Sequence, residues 1–176
     1  RFILSPSVSL TVGARGEWWD LDNPGGLGHV QHRAFFAPRV GATFEAAEGQ
    51  TLRVSWLTGF RTPTINELFR SFRVGNTLTQ ANNQLQPENT WGPEAAYTIT
   101  RPEWTARAIF YATKLDHAIY NRTITSTPAL ITGQRDNPDA RAIGSELEFE
   151  WRAGRLLTAT TAWAFNDSTF RSGELE

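Results

Sequence analysis

The chain has 176 residues, with 17 basic and 18 acidic side chains for a formal net charge of −1, and a hydrophobic fraction of 40% goes with a mean hydropathy of −0.39. Balanced charge supplies no global field for nucleic acid, and no run approaches the roughly 18 apolar residues of a membrane-crossing helix. The absence of cysteine rules out a disulfide scaffold or a thiolate-ligated metal.

The opening Arg1-Phe2-Ile3 reads as the inside of a strand and Glu174-Leu175-Glu176 as the end of another, as expected of a piece of a longer polypeptide. From Ser7 onward, Val8, Leu10, Val12 and Ala14 alternate with Ser9, Thr11, Gly13 and Arg15, which puts one set on each face of a strand. In the loop that follows, Asp20, Asp22 and Asn23 have a spacing that could hold calcium weakly, but Asn-Pro-Gly-Gly is read as a turn. Gly25-Gly26-Leu27-Gly28 lacks the Lys-Ser or Lys-Thr of a phosphate loop. His29 and His32 lack a third ligand and are read as solvent-exposed, so no metal site is expected.

Six further alternating segments follow, through Phe36–Glu45, Thr51–Phe60, Trp91–Ile99, Trp104–Thr113, Ser145–Trp151 and Leu157–Phe165. These seven predicted strands run to about 10 residues or more, against a typical 5 to 6. Tight turns at Glu48-Gly49-Gln50, Arg101-Pro102-Glu103 and Arg152–Arg155 alternate strictly with long connections, Gly16–His32, Arg61–Glu88 and Asp116–Asp139. In an antiparallel up-and-down meander this places every short turn on one rim and every long loop on the other, the asymmetry of an outer-membrane β-barrel. A soluble or surface-displayed β-sandwich, binding a polymer through its long loops, has the same alternation and is the competing reading.

Trp104 and Trp151 abut short turns, whereas Phe35, Phe60, Trp91 and Phe165 lie where strands meet long loops, so two aromatic belts are expected on the apolar face. The other parity carries both charges: Arg15, Arg39, Glu45, Arg53, Glu94, Arg107, Glu146, Glu148 and Glu150. An Arg or Lys facing lipid at mid-depth costs roughly 2–4 kcal/mol, so this parity must face inward. The three glutamates at alternate positions lack a nucleophile or sugar platform nearby, and no catalysis is expected of them.

The stretch Gly59–Glu88, "GFRTPTINELFRSFRVGNTLTQANNQLQPE", is the longest without sustained periodicity. Pro63 pushes Thr62 to extended geometry, and Thr64-Ile65-Asn66-Glu67 has the spacing of a capping box, which predicts a short helical turn through Leu68-Phe69. "FRTPTINEL" and "LQPE" are expected to anchor the feet of the loop, and the segment between them to meet a ligand.

The order "GFRTPTINELF", "GN", "LQPE" and a strand bearing Glu94 resembles the conserved region of TonB-dependent outer-membrane receptors. The matching residues are Phe60, Arg61, Pro63, Glu67, Leu68, Gly75, Asn76, Leu85, Pro87 and Glu88, followed by Glu94 and by Gly144 and Glu146 of "GSELEFE". Glu94 departs from the pattern, being preceded by Pro93 and followed by Ala95-Ala96 rather than glycine, which predicts a bulge or a weak ladder position.

The resemblance implies an all-β fold in which residues 1–176 are part of a barrel of about 22 strands, about a third of it, plugged by an N-terminal domain outside this sequence. It further implies active uptake of a scarce nutrient across the outer membrane of a Gram-negative bacterium, siderophore-iron first and cobalamin or another next. The implied partners are the TonB energy-transducing complex, the plug, outer-membrane lipid and a small-molecule ligand, with no nucleic acid, no cofactor and no enzymatic activity. Candidate ligand contacts on the long-loop rim are Arg61, Arg70, Phe72, Arg73, Tyr120, Arg122 and Arg135, because arginines with aromatics suit anionic or aromatic chelates. An isolated segment of this kind is expected to aggregate and to fold only within the complete barrel.

Overall fold

A computed structural model describes residues 1–21, 31–154 and 156–171. Asp22, Asn23, the glycines at 25, 26 and 28, His29 and the side chain of His32 lie outside the described residues. In chain order the elements are β1 Phe2–Ser5, β2 Val8–Leu21, β3 Gln31–Ala47, β4 Gln50–Arg61, α1 Ile65–Phe69, β5 Phe72–Val74, β6 Thr77–Gln80, β7 Glu88–Thr100, β8 Trp104–Asp116, β9 Tyr120–Ser126, β10 Ile131–Asp136, β11 Asp139–Ala153 and β12 Leu157–Arg171.

One sheet of eight strands runs β1-β2-β3-β4-β7-β8-β11-β12, each antiparallel to its neighbour. Its seven long strands have 12 to 17 residues. The meander expected from the loop lengths is therefore present, with β1 added at its edge.

Register assigns the faces. Val12↔Val40, Val54↔Ala95 and Leu147↔Ala108 share one face, and Gly13↔Arg39, Thr98↔Arg107 and Glu148↔Arg107 share the other. The apolar face lies open: Val12, Val40, Val54, Trp56, Phe110, Leu147, Phe149 and Trp163 are all exposed. A sandwich would cover these side chains with a second sheet about 10 Å away. Their exposure fits a wall that meets lipid.

The ladder at Pro93 is weak, as expected: β7 and β8 pair from Asn89 to Trp91 and again from Glu94, skipping Gly92 and Pro93 with the register unchanged. The lower belt is also present, with Trp104 opposite Trp151 and 6.1 Å from Phe149. The upper belt needs correction. Phe35 pairs with Glu17 on the face that carries Arg15, and its ring stacks on Phe60 at 4.8 Å beneath the Arg15 guanidinium, so both rings leave the apolar face. Phe35 has the parity of Arg39 in an unbroken β2–β3 register, so regular alternation itself puts it on the charged face. Phe60 lies above Val40↔Trp56, where the β3–β4 ladder ends near Pro38, which has no N–H to donate, and there the Thr58 hydroxyl donates to the Pro38 carbonyl. Trp91, stacked on Trp56 at 5.5 Å, and Phe165, stacked on Trp163, stay outward.

The "GSE" strand has a packing reason for its glycine. A Cβ on Gly144 would lie 2.3 Å from the Tyr111 hydroxyl oxygen, because the phenol of the opposite strand crosses this position to donate to Asn166 Oδ1 at 3.4 Å.

Candidate functional site

The long-loop rim is built on "FRTPTINEL". Thr64 is the N-cap of α1: the Glu67 amide donates to Thr64 Oγ1 (3.3 Å), and the Thr64 amide donates back to Glu67 Oε2 (2.7 Å), which completes the predicted capping box. Arg61, the last residue of β4, donates through Nη1 to both Glu67 oxygens (3.1 and 3.2 Å) and through Nε to Glu88 Oε2 (2.5 Å). Glu88 Oε1 in turn accepts from the Ile119 amide at 2.6 Å. One arginine thus joins the end of β4, the start of α1 and the start of β7, and Glu88 extends the network to the segment after β8.

Burial raises the pKa of the Glu67 carboxyl most strongly, but the Thr64 amide and hydroxyl and the Arg61 guanidinium outweigh it and hold the carboxyl below its ordinary range.

Beneath this network Leu68 and Leu85 are 1% exposed and pack with Leu21, Trp19 and Ile119. Pro63 and Pro87 are buried as well. Of the motif residues, Arg61, Glu67 and Glu88 form an ionic clamp, and Pro63, Leu68, Leu85 and Pro87 are buried below it. Polar fasteners missing from the sequence reading complete the base. Asn137 Oδ1 accepts from the Gln86 amide (2.6 Å), and its Nδ2 donates to the His117 carbonyl (2.8 Å) and more weakly to that of Gln86 (3.3 Å). His117 takes the left-handed conformation at φ 59°, where its amide donates to Asp139 Oδ1.

Two loops then build a second sheet, of four strands in the order β5-β6-β10-β9. The Gly75-Asn76 turn joins β5 to β6 with Gly75 at φ +59°, the sign a type II′ hairpin requires of its first central residue. The Asn76 carbonyl accepts from the Ile131 amide at 2.8 Å, and from there β10 runs parallel to β6, Ile131↔Thr77 through Gln134↔Gln80. The expected ligand segment is thus largely ordered backbone that pairs with the next long loop.

Arg135 holds this sheet to α1. It is 7% exposed, and its Nη1 lies within hydrogen-bond distance of the carbonyls of Asn66 (3.2 Å), Glu67 (3.5 Å) and Arg70 (3.3 Å) at the C-terminal end of the helix. The guanidinium also lies over the Phe72 ring at 5.4 Å, and the Arg135 carbonyl accepts from Asn82 Nδ2 at 2.9 Å.

The seven ligand candidates separate by what each touches. Arg61 and Arg135 are occupied by protein groups, Tyr120 stacks on Phe170 of β12 at 5.3 Å, and Arg122 pairs with Asp136 at 3.0 Å while its side chain stays 54% exposed. Arg70, Phe72 and Arg73 are exposed within four consecutive positions, and Arg73 Nε donates to the Gly75 carbonyl at 2.9 Å. No group of three or more metal-ligating side chains occurs among the described residues.

The sequence profile described as TonB dependent receptor-like, beta-barrel matches residues 1–175. The chain belongs to the TonB-dependent receptor β-barrel family. No curated protein matches it. Among solved structures, the Copper transporter OprC shares 18% identity with a TM-score of 0.73, the match covering 93% of this chain and 27% of that one. The siderophore receptor PirA from Pseudomonas aeruginosa gives 16% and 0.74, with 95% of this chain and 32% of that one covered. The pyoverdine outer membrane receptor FpvA from Pseudomonas aeruginosa PAO1, bound to pyoverdine, gives 16% and 0.71, with 99% and 24% covered. The chain spans about a third or less of each neighbour's length. The barrels of TonB-dependent receptors lie in the outer membrane of Gram-negative bacteria, and the family is one of transport receptors, not enzymes.

Proposed function

We propose that this barrel segment belongs to a receptor that captures a scarce nutrient, siderophore-bound iron first and cobalamin or another chelate next, for uptake energised by the TonB complex. The observation that carries the reading is the platform of paired loops, which holds Arg70, Phe72 and Arg73 exposed at its edge. Two cations beside an aromatic ring suit an anionic, partly aromatic chelate. Structural neighbours named as a siderophore receptor and a pyoverdine receptor support the same class. On the inner wall, Glu146, Glu148 and Glu150 would meet arginines of the plug, which the whole receptor carries in its lumen.

Arg61 and Arg135 act on this reading as positioning residues, and Arg70, Phe72, Arg73 and Arg122 as ligand contacts. Replacing Arg70 and Arg73 together by alanine in the full-length receptor is expected to raise the Kd of its ferric chelate about tenfold or more, since each charge-assisted contact contributes roughly 1–2 kcal/mol at an exposed site. An unchanged Kd in equilibrium titration removes both from the binding surface.

A further inference from the structure

The inner wall divides by charge. β11 presents Glu146, Glu148 and Glu150 at alternate positions, whereas β3 and β4 present Arg39 and Arg53. Between the two regions Arg107 of β8 meets Glu148 at 3.7 Å, the long end of an ion pair. Arg39 and Arg53 are exposed, and neither pairs with a carboxylate of the described residues.

These three guanidinium groups line one hollow of about 580 Å³, with Arg1 at its edge. No acidic side chain of the described residues lines it: Glu45 accepts from Thr51 Oγ1 at 3.3 Å, Glu94 stands opposite Ser55, and both lie outside the hollow. Thr43 opposite Arg53 and Thr98 opposite Arg107 add hydroxyl groups. Ser55, 5% exposed, also lines it, and its Oγ is buried without a hydrogen-bond partner among the described residues. A native structure seldom leaves such a group unsatisfied, so this hydroxyl calls for a polar guest. Arg53 stands three positions after Gln50, where β4 leaves its short turn, or about 10 Å along the strand. The hollow therefore lies toward the short-turn, periplasmic end of the lumen, away from the loop platform.

We infer that this hollow is a second anion site on the path of the cargo: once the chelate has left the platform, Arg39, Arg53 and Arg107 hold its anionic oxygens and the Ser55 hydroxyl donates to one of them. The inference rests on the reading of the cargo as an anionic chelate. Charge complementarity selects the occupant. Plug arginines seated on Glu146, Glu148 and Glu150 are repelled by the arginines of β3 and β4, which leaves that side of the wall to an anion. A concave surface lined by one sign of charge concentrates its counter-ion, and guanidinium groups offer the forked donors that carboxylate and phenolate oxygens accept.

The test measures binding and uptake separately, in cells carrying the full-length receptor, with the radiolabelled tris-catecholate and citrate chelates of iron(III), both anionic. Arg39→Gln/Arg53→Gln is expected to leave the Kd on de-energised cells within about twofold of wild type and to lower the initial rate of energised uptake about tenfold. Arg39→Lys/Arg53→Lys keeps the charge and is expected to retain at least about half the wild-type rate. Undiminished uptake by the folded glutamine variant overturns the assignment, as does a Kd raised in step with the loss of uptake, or an equal loss in the lysine variant. Entry of vancomycin into cells carrying the glutamine variant shows that the pair seats the plug, which also overturns it. Should the double variant lack the heat-modifiable migration of a folded barrel, Arg53→Gln alone is read by the same criteria. Wild-type receptor that binds neither chelate refutes the anionic-cargo reading and this inference with it. The Arg70/Arg73 variant is read in Kd and this one in uptake, so the two readings fail separately.

Discussion

Replacing Arg135 by leucine in the full-length receptor is expected to release the four-stranded loop sheet from α1 while leaving the barrel wall intact. The variant removes the bonds from Nη1 to three helix-end carbonyls and the contact over Phe72. Its buried position leaves those carbonyls short of a donor, and a net charge-assisted contribution of roughly 2–4 kcal/mol is lost locally. Amide exchange of β6 and β10 should then accelerate by about one and a half to three powers of ten. The barrel strands lie in the other sheet and should keep their protection. Exchange in β6 and β10 that matches wild type would show that Arg135 does not hold the platform.

A second large effect is expected at the clamp below. Arg61→Ala leaves the Glu67 and Glu88 carboxylates without the cation they share, although Thr64 still caps with Glu67 and Ile119 still donates to Glu88. The arginine side chain is 43% exposed, so water screens part of the loss and about 1–2 kcal/mol of local stability is expected to disappear. Acid should act at the same place. Because the folded-state pKa of Glu67 is depressed, its ionised form stabilises the folded loop above the unfolded value near 4.5, and that contribution is lost as pH falls through the lower folded value. Proteolysis of the loop around α1 should therefore quicken below about pH 4.5 in the wild type. Glu67→Gln should flatten this dependence; an unaltered acid profile in that variant would assign the acid sensitivity to other groups.

The barrel wall was legible because a strand with one face on lipid and one on a wet lumen must alternate, and because a meander sorts its short and long connections onto opposite rims. The capping box was legible for a similar reason: Thr64 and Glu67 interact within one helical turn, so their spacing alone carries the geometry. Long-range partners left no such trace. β5 has three residues and β6 four, too few for a period to show, and the parallel pairing of β6 with β10 joins segments more than fifty residues apart in sequence. Arg70 and Arg135 look alike in the sequence, both being arginines in long connections. Only the fold separates them, by turning one toward solvent and burying the other against the end of α1.

Phe35 and Phe60 leave the expected belt for different reasons. Phe35 has the parity of Arg39, and the unbroken β2–β3 ladder keeps it on the charged face, which the alternation of the sequence already carried. Phe60 stands four residues beyond Trp56, the last β4 residue paired with β3, where the missing N–H of Pro38 leaves β4 without that neighbour.

Hydrogen–deuterium exchange of the full-length receptor in outer-membrane vesicles, read at Thr77–Gln80 and Ile131–Gln134, tests the platform most directly. Slow exchange that rises together in both segments under mild denaturant is the predicted result for two loops joined as one sheet. Exchange complete at the earliest time point in either segment, as in an unpaired loop, would contradict it.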